Sequence, residues 1–169
     1  FIPGYIPIAP LEKDPSDPFP SPPPSLRSHL DSLPRSLPIL RTSSWNARGL
    51  FCWDPASRTR KCSTLLSLIS KSDAVCVQEA HFDPSSSLPL LNKICSESKS
   101  VCFYSGTDSA AGGVLIFLSS KLFSSCRAIM VTHIRVGRIL KLDLALTTGR
   151  FSLCCIHLNH ASPNGRLYD

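Results

Sequence analysis

The chain has 169 residues and a net charge of +6, a length that allows one domain and excludes a second unless it is small. Its longest apolar run, "GGVLIFL", falls short of the roughly 18 residues needed to cross a bilayer, so no membrane segment is expected. Residues 1–38 hold three basic and four acidic residues, which leaves 15 basic and 8 acidic on the remainder. That surplus favours polyanionic partners.

Eleven of the fifteen prolines lie within residues 1–38, around "DPSDPFPSPPPS". A stretch this rich in proline cannot sustain helical or ladder hydrogen bonds, so 1–38 reads as a disordered or polyproline linker ahead of a domain at 39–169. "FIPGYIPIAP" has no basic n-region, which argues against a signal peptide. Phe1 at the start, and Asp169 inside a continuing element, predict a fragment.

Periodicity begins after Pro38. "ILRTSSW" predicts a first strand. Residues 58–71 place Cys62, Leu65, Leu66 and Ile69 on one face of an amphipathic helix that opens with Arg58, Arg60 and Lys61. A short buried strand follows over 74–78, ending in Gln78 and Glu79. "SSSLPLLNKICSES" predicts a second helix, capped by its serines, with Pro89 in the first turn and Leu88, Leu91 and Cys95 on one face. "SVCFYS" is a third strand, and "GTDSAAGG" a loop into the strand "VLIFLSS".

Three strands close the chain: "CRAIMVTHI", "RILKLDLAL" and "RFSLCCIHL". In the second, leucines at 140, 142, 144 and 146 alternate with Lys141, Asp143 and Ala145, and "TTGR" marks a hairpin. With helices early and antiparallel strands late, the order predicts a mixed α/β sandwich rather than a doubly wound parallel sheet. The eight cysteines form no C-x-x-C pair and mostly sit in apolar runs, which predicts free core thiols and a reduced, intracellular setting.

The chemistry concentrates at two strand exits. If the first two strands are parallel neighbours joined by the 58–71 helix, Asn46 and Glu79 emerge at the same sheet edge. An amide and a carboxylate placed there suit a hard cation such as Mg²⁺. The plain alternative is that Asn46 caps a turn and Glu79 is solvated. Arg135 and Arg138 flank Gly137, either as contacts to a nucleic-acid backbone or as a solvated hairpin tip. "GTDSAAGG" lacks the P-loop pattern and reads as a turn.

"SWNARGL", "SDAVCVQEAHF" about 30 residues later, "AGGVLIFLSS" and "FSLCCIHLNHASPN" together resemble the endonuclease/exonuclease/phosphatase superfamily. Their order is most similar to the apurinic-type endonuclease domain of non-LTR retrotransposons, over about residues 40–169. The resemblance implies part of a four-layered α/β sandwich, with mostly antiparallel sheets flanked by helices. It also implies a Mg²⁺-dependent phosphodiesterase acting on nucleic acid, most readily DNA, with the nucleus among its sites of action.

Residue by residue, Asn46 matches the family's phosphate- and metal-shell asparagine, Glu79 its Mg²⁺-binding glutamate, and Gln78 the neighbour of that glutamate. His157 matches a phosphate-contacting histidine when the fourth motif is read as "IHL". His160 takes a tyrosine's place when "HASPN" is read as a shifted Y-A-P-N. Three residues apart on an extended strand, the two would face opposite ways. The family's G-D-x-N and S-D-H motifs do not occur in these 169 residues. The resemblance therefore leaves open an incomplete endonuclease, another phosphatase or nuclease of the superfamily, or an inactive nucleic-acid-binding product. Half of a two-sheet sandwich would also expose an apolar face, which predicts poor solubility.

Overall fold

A computed structural model describes residues 40–106 and 112–158. In chain order the elements are β1 (Thr42–Asn46), α1 (Pro55–Lys71), β2 (Ala74–Gln78), α2 (Pro84–Ser98) and β3 (Ser100–Ser105). They continue with β4 (Val114–Ser119), a short α3 (Ser120–Ser125), β5 (Cys126–Arg135), β6 (Ile139–Leu146) and β7 (Gly149–Ile156). One sheet runs β1-β2-β4-β3 and the other β5-β6-β7. Among the described residues only β1 and β2 pair in parallel, and the other ladders are antiparallel. The expected mixed α/β sandwich is what forms.

β4 explains the layering. It is buried on both faces, so its sequence is a continuous apolar run rather than an alternation. Leu115 and Phe117 join Leu65 and Ile69 of α1 and Leu91 and Ile94 of α2 in one core. The intervening Val114, Ile116 and Leu118 meet Leu140, Leu142, Leu144 and Cys155 of the second sheet. Helices, first sheet and second sheet thus stack as successive layers, each held by burial of one strand face.

Local sequence sets the element ends. Asp54 caps α1 by accepting from the Ser57 N–H at 2.9 Å, with Pro55 pre-setting the first turn. α2 departs from the expected serine cap. Asp83 takes that role, accepting from the Ser85 N–H at 3.1 Å and from the Ser85 and Ser86 hydroxyls at 2.7 Å each. An ionised carboxylate outcompetes the hydroxyls as acceptor, so the helix starts at Pro84 and Pro89 falls beyond the first turn. The helix tolerates Pro89 although it withholds an N–H there.

α3 was not anticipated: Ser119 caps it, and six residues are too few to display a period. All eight cysteines are free thiols. Cys154, expected within the core, is exposed, because it pairs with Lys141 on the outer face of the second sheet. That sheet also leaves Met130, Ile134 and Ile156 exposed, as is Val136 in the β5–β6 turn. No helix among the described residues is long and apolar enough to cross a membrane. The proline-rich stretch assigned to 1–38, most of the "GTDSAAGG" loop and His160 lie outside the described residues.

Phe117, 1% exposed, contributes its ring to the helix-facing core. Phe117→Ala is expected to lower the unfolding free energy by about 3–5 kcal/mol, read as a reduced urea midpoint.

Candidate functional site

The site begins with the parallel register. Thr42 pairs with Ala74 and Asn46 with Gln78, so the two strands end together. Pairing then continues past the strands: Ala47 N–H donates to Gln78 O at 2.9 Å, Gly49 N–H to Glu79 O at 2.6 Å and Phe51 N–H to Ala80 O at 3.1 Å. Arg48, Glu79 and His81 all have left-handed backbones, with φ of 45°, 50° and 53°. Each such non-glycine residue costs about 1–3 kcal/mol, so the surrounding ladder must hold the shape. Gly49 has φ of 83°, which strains any side chain, and a Cβ there would press on the His81 ring at 3.0 Å, so glycine is the residue that lets the two turns nest without strain.

These turns bring Asn46 onto Glu79. Asn46 Nδ2 donates to Glu79 Oε1 at 2.9 Å, while its Oδ1 accepts the Arg48 N–H at 3.0 Å. Because a backbone N–H can only donate, the amide's orientation is fixed by its partners. Gln78 turns elsewhere: its Nε2 donates to Ser44 Oγ at 2.9 Å and to Cys155 Sγ at 3.6 Å, tying the exit of β2 to β1 and β7.

The second sheet supplies the third member. His157 follows β7, and its Nε2 lies 3.0 Å from the same Glu79 Oε1. Arg138 Nη1 lies 2.5 Å from His157 Nδ1. A guanidinium has no acceptor, so Nδ1 must accept and the ring proton sits on Nε2, facing the carboxylate. Oε1 therefore receives two donors, and Oε2 receives none among the described residues. The Glu79 side chain is 29% exposed and that of His157 13%.

Electrostatics follow from these contacts. The Asn46 hydrogen bond is the largest influence on Glu79; with smaller help from His157 and His81 it holds the carboxyl below its ordinary value, against partial desolvation. Glu79 is thus an anion at neutral pH. Among the described residues no three His, Cys, Asp or Glu side chains converge as a metal-binding group. Asn46, Glu79 and His157 do converge, whereas the position of His160 is not described.

Two more residues complete the site, Lys61, which was not expected there, and Arg138, one of the two arginines flanking Gly137. Lys61, read from sequence only as a charge at a helix start, donates through Nζ to Arg48 O at 2.6 Å and Gly49 O at 2.9 Å, bracing the first turn. Arg138 is no solvated tip. Its hairpin is pinned by Gly137 N–H on buried Ser105 Oγ at 2.9 Å and by Gly113 N–H on Gly137 O at 2.9 Å. The "GR" that follows the β5 strand was visible, but nothing local in the sequence shows that it meets His157.

The profile of the Endonuclease/Exonuclease/phosphatase family matches residues 43–168, and the chain belongs to that family. Among solved structures, truncated Caenorhabditis elegans TDP2 is similar with a TM-score of 0.50 and 19% identity, covering 72% of this chain and 47% of that one. TDP2 from C. elegans gives 0.51 and 18%, covering 74% and 37%. ANGEL2, a 2',3'-cyclic phosphatase, gives 0.47 and 13%, covering 71% and 41%. The chain thus spans less than half the length of each of these three structures. A search of curated proteins finds no match.

Two measurements probe the cluster. Since the folded pKa of Glu79 is lowered, its stabilising contribution is present above the unfolded value near 4.5 and is lost as the pH falls through the folded value. Wild type should therefore lose its stability margin over Glu79→Gln below about pH 4.5, read from urea midpoints at a series of pH values. In long-range ¹⁵N–¹H spectra at one neutral pH, His157 should show the Nε2–H tautomer. Arg138→Met should give a mixture of tautomers, and Arg138→Lys should restore part of the original population.

Proposed function

We propose that residues 39–169 carry the cation- and phosphate-binding part of a divalent-metal-dependent phosphodiesterase acting on nucleic acid, with residues 1–38 as a linker. The observation that carries this reading is the convergence of Asn46, Glu79 and His157 at one sheet edge through two shared hydrogen bonds. The order of "SWNARGL", "VCVQEAHF", "GGVLIFL" and "CCIHL" favours the apurinic-type endonuclease of non-LTR retrotransposons, with DNA as substrate and the nucleus as a place of action.

The residues fit a hard cation such as Mg²⁺. Glu79 is ionised, and its Oε2 keeps a lone oxygen for the oxygen-only coordination that Mg²⁺ prefers. When bound, such an ion supplies charge stabilisation to a phosphoryl group as its oxygens become more anionic. Asn46 has its Oδ1 engaged by Arg48, so its part is to orient the carboxylate and offer its second amide hydrogen to a phosphate oxygen. His157 holds Oε1 through Nε2–H, and Arg138 behind it presents its remaining N–H groups to an anion. His160 is the alternative phosphate contact under the shifted "HASPN" register.

A second reading rests on one sequence fact: neither G-D-x-N nor S-D-H occurs in these 169 residues. Positioned acid–base groups contribute about 10²–10⁴-fold to such reactions. On this reading the chain binds nucleic acid without turning it over.

Calorimetric titration with Mg²⁺ followed by a DNA cleavage assay separates the readings. The expected result is metal binding by the wild-type chain that Glu79→Ala weakens at least tenfold, while Asn46→Ala weakens it less. Unchanged Mg²⁺ affinity in Glu79→Ala would sink the metal assignment. Metal-independent DNA binding with no cleavage would favour the second reading.

A further inference from the structure

Trp53 is 96% exposed, although tryptophan is among the side chains that gain most from burial. The segment that presents it is not loose. Leu50 is fully buried, and the Phe51 ring packs edge-on against Phe82 at 5.3 Å. Cys52 N–H donates to Gly49 O at 3.2 Å, and Asp54 caps α1 one residue later. Trp53 is therefore the outward residue between two anchors, held on a fixed turn. Its backbone lies within about 14 Å of Gly49, the reach of four residues, and Gly49 N–H bonds directly to Glu79 O.

The basic residues near it in the chain are mostly arginines. Arg48 and Arg60 are exposed and Arg58 is half-buried, and none forms an ion pair among the described residues. The nearby acid, Asp54, is spent on the Ser57 N–H. α1 has no acidic residue in its first turn, and its early cations oppose the helix dipole. Helix stability does not explain their placement.

We infer that Trp53, with Arg48, Arg58 and Arg60 close to it in the chain, is a stacking platform for an unpaired base on a single nucleic-acid strand whose backbone leads to the Asn46–Glu79–His157 cluster. This deepens the reading of that cluster as a nucleic-acid phosphodiesterase site and rests on it. An exposed aromatic face on an arginine-rich stretch suits a strand that exposes both bases and phosphates; a duplex keeps its bases stacked on one another. Base stacking is sequence-tolerant, so the platform selects strandedness rather than sequence.

The test uses the full chain in EDTA and a fluorescein-labelled oligothymidylate followed by anisotropy. The expected result is salt-sensitive binding that quenches tryptophan emission. Trp53→Ala should weaken it about 5- to 150-fold, the range for loss of one stacked base, and Trp53→Phe should retain most of it. Arg60→Ala should weaken binding and reduce the salt slope. With Trp53 already solvent-facing, circular dichroism should show these variants folded.

Equal affinity of Trp53→Ala and wild type would overturn the inference. So would equal affinity for the duplex form, or equal quenching by vesicles containing phosphatidylserine. The outcomes stay separable from the metal reading. Trp53-dependent strand binding with a Glu79 variant that keeps its Mg²⁺ response would remove only the cluster's assignment. A lost Mg²⁺ response in that variant with Trp53-independent binding would remove only this one.

Discussion

The site depends on a single parallel strand pair whose ladder runs on after the strands end. In a regular strand, successive side chains alternate between faces, and Gln78, opposite Asn46, points to Ser44 and Cys155. A regular continuation would not close Glu79 onto Asn46. The left-handed turn at Glu79 swings the carboxylate back to the amide, and Gly49 N–H on Glu79 O at 2.6 Å holds it there. Strain in three non-glycine residues is offset by backbone hydrogen bonds that exist only while both turns keep their shape. The dependence extends outward to Lys61, which satisfies the carbonyls that the Arg48 turn leaves pointing at α1.

The second sheet matters because it delivers two side chains to the edge of the first. Cys155 is buried between the layers, where its thiol donates to Val77 O at 3.4 Å. Its hydrogen bond with Cys76, together with burial, pushes its pKa well up, so it stays a neutral packing group. Ser105 and Gly113 fix the β5–β6 hairpin, and Gly113 and Gly112 accept in turn from the Ala80 and His81 N–H groups. A Cβ at Gly113 would sit 2.9 Å from the Phe82 nitrogen, so this junction too tolerates only glycine. Arg138 and His157 are then placed by the same contacts that hold the two layers in register.

Much of this could be read from the chain because burial leaves periodic traces. The α1 face, the continuous apolar β4, the alternating β6 and the parallel exit of β1 and β2 all follow from which faces are covered. The helix cap at Asp83, the brief α3 and the exposure of Cys154 could not be read. They turn on competition between neighbouring acceptors, on too few residues to show a period, and on register. Arg138 illustrates the limit at the site. Its contact with His157 joins residues 19 apart across the β6–β7 hairpin, a meeting that the pairing of those two strands sets. Asn46 and Glu79 were legible as a pair; the turn that closes them was not.

The order Arg138–His157–Glu79 has an electrostatic consequence. A guanidinium set directly against a carboxylate would form a two-pronged pair and occupy both oxygens. With the imidazole between them, the arginine spends a donor on Nδ1, and Glu79 receives hydrogen bonds on Oε1 alone. The carboxylate stays anionic, with Oε2 uncommitted among the described residues, and the guanidinium keeps its charge and its other donors. Positive and negative groups thus stand side by side without cancelling. Holding two sheets in register would not require that separation, whereas the cation- and phosphate-binding role proposed above would use it.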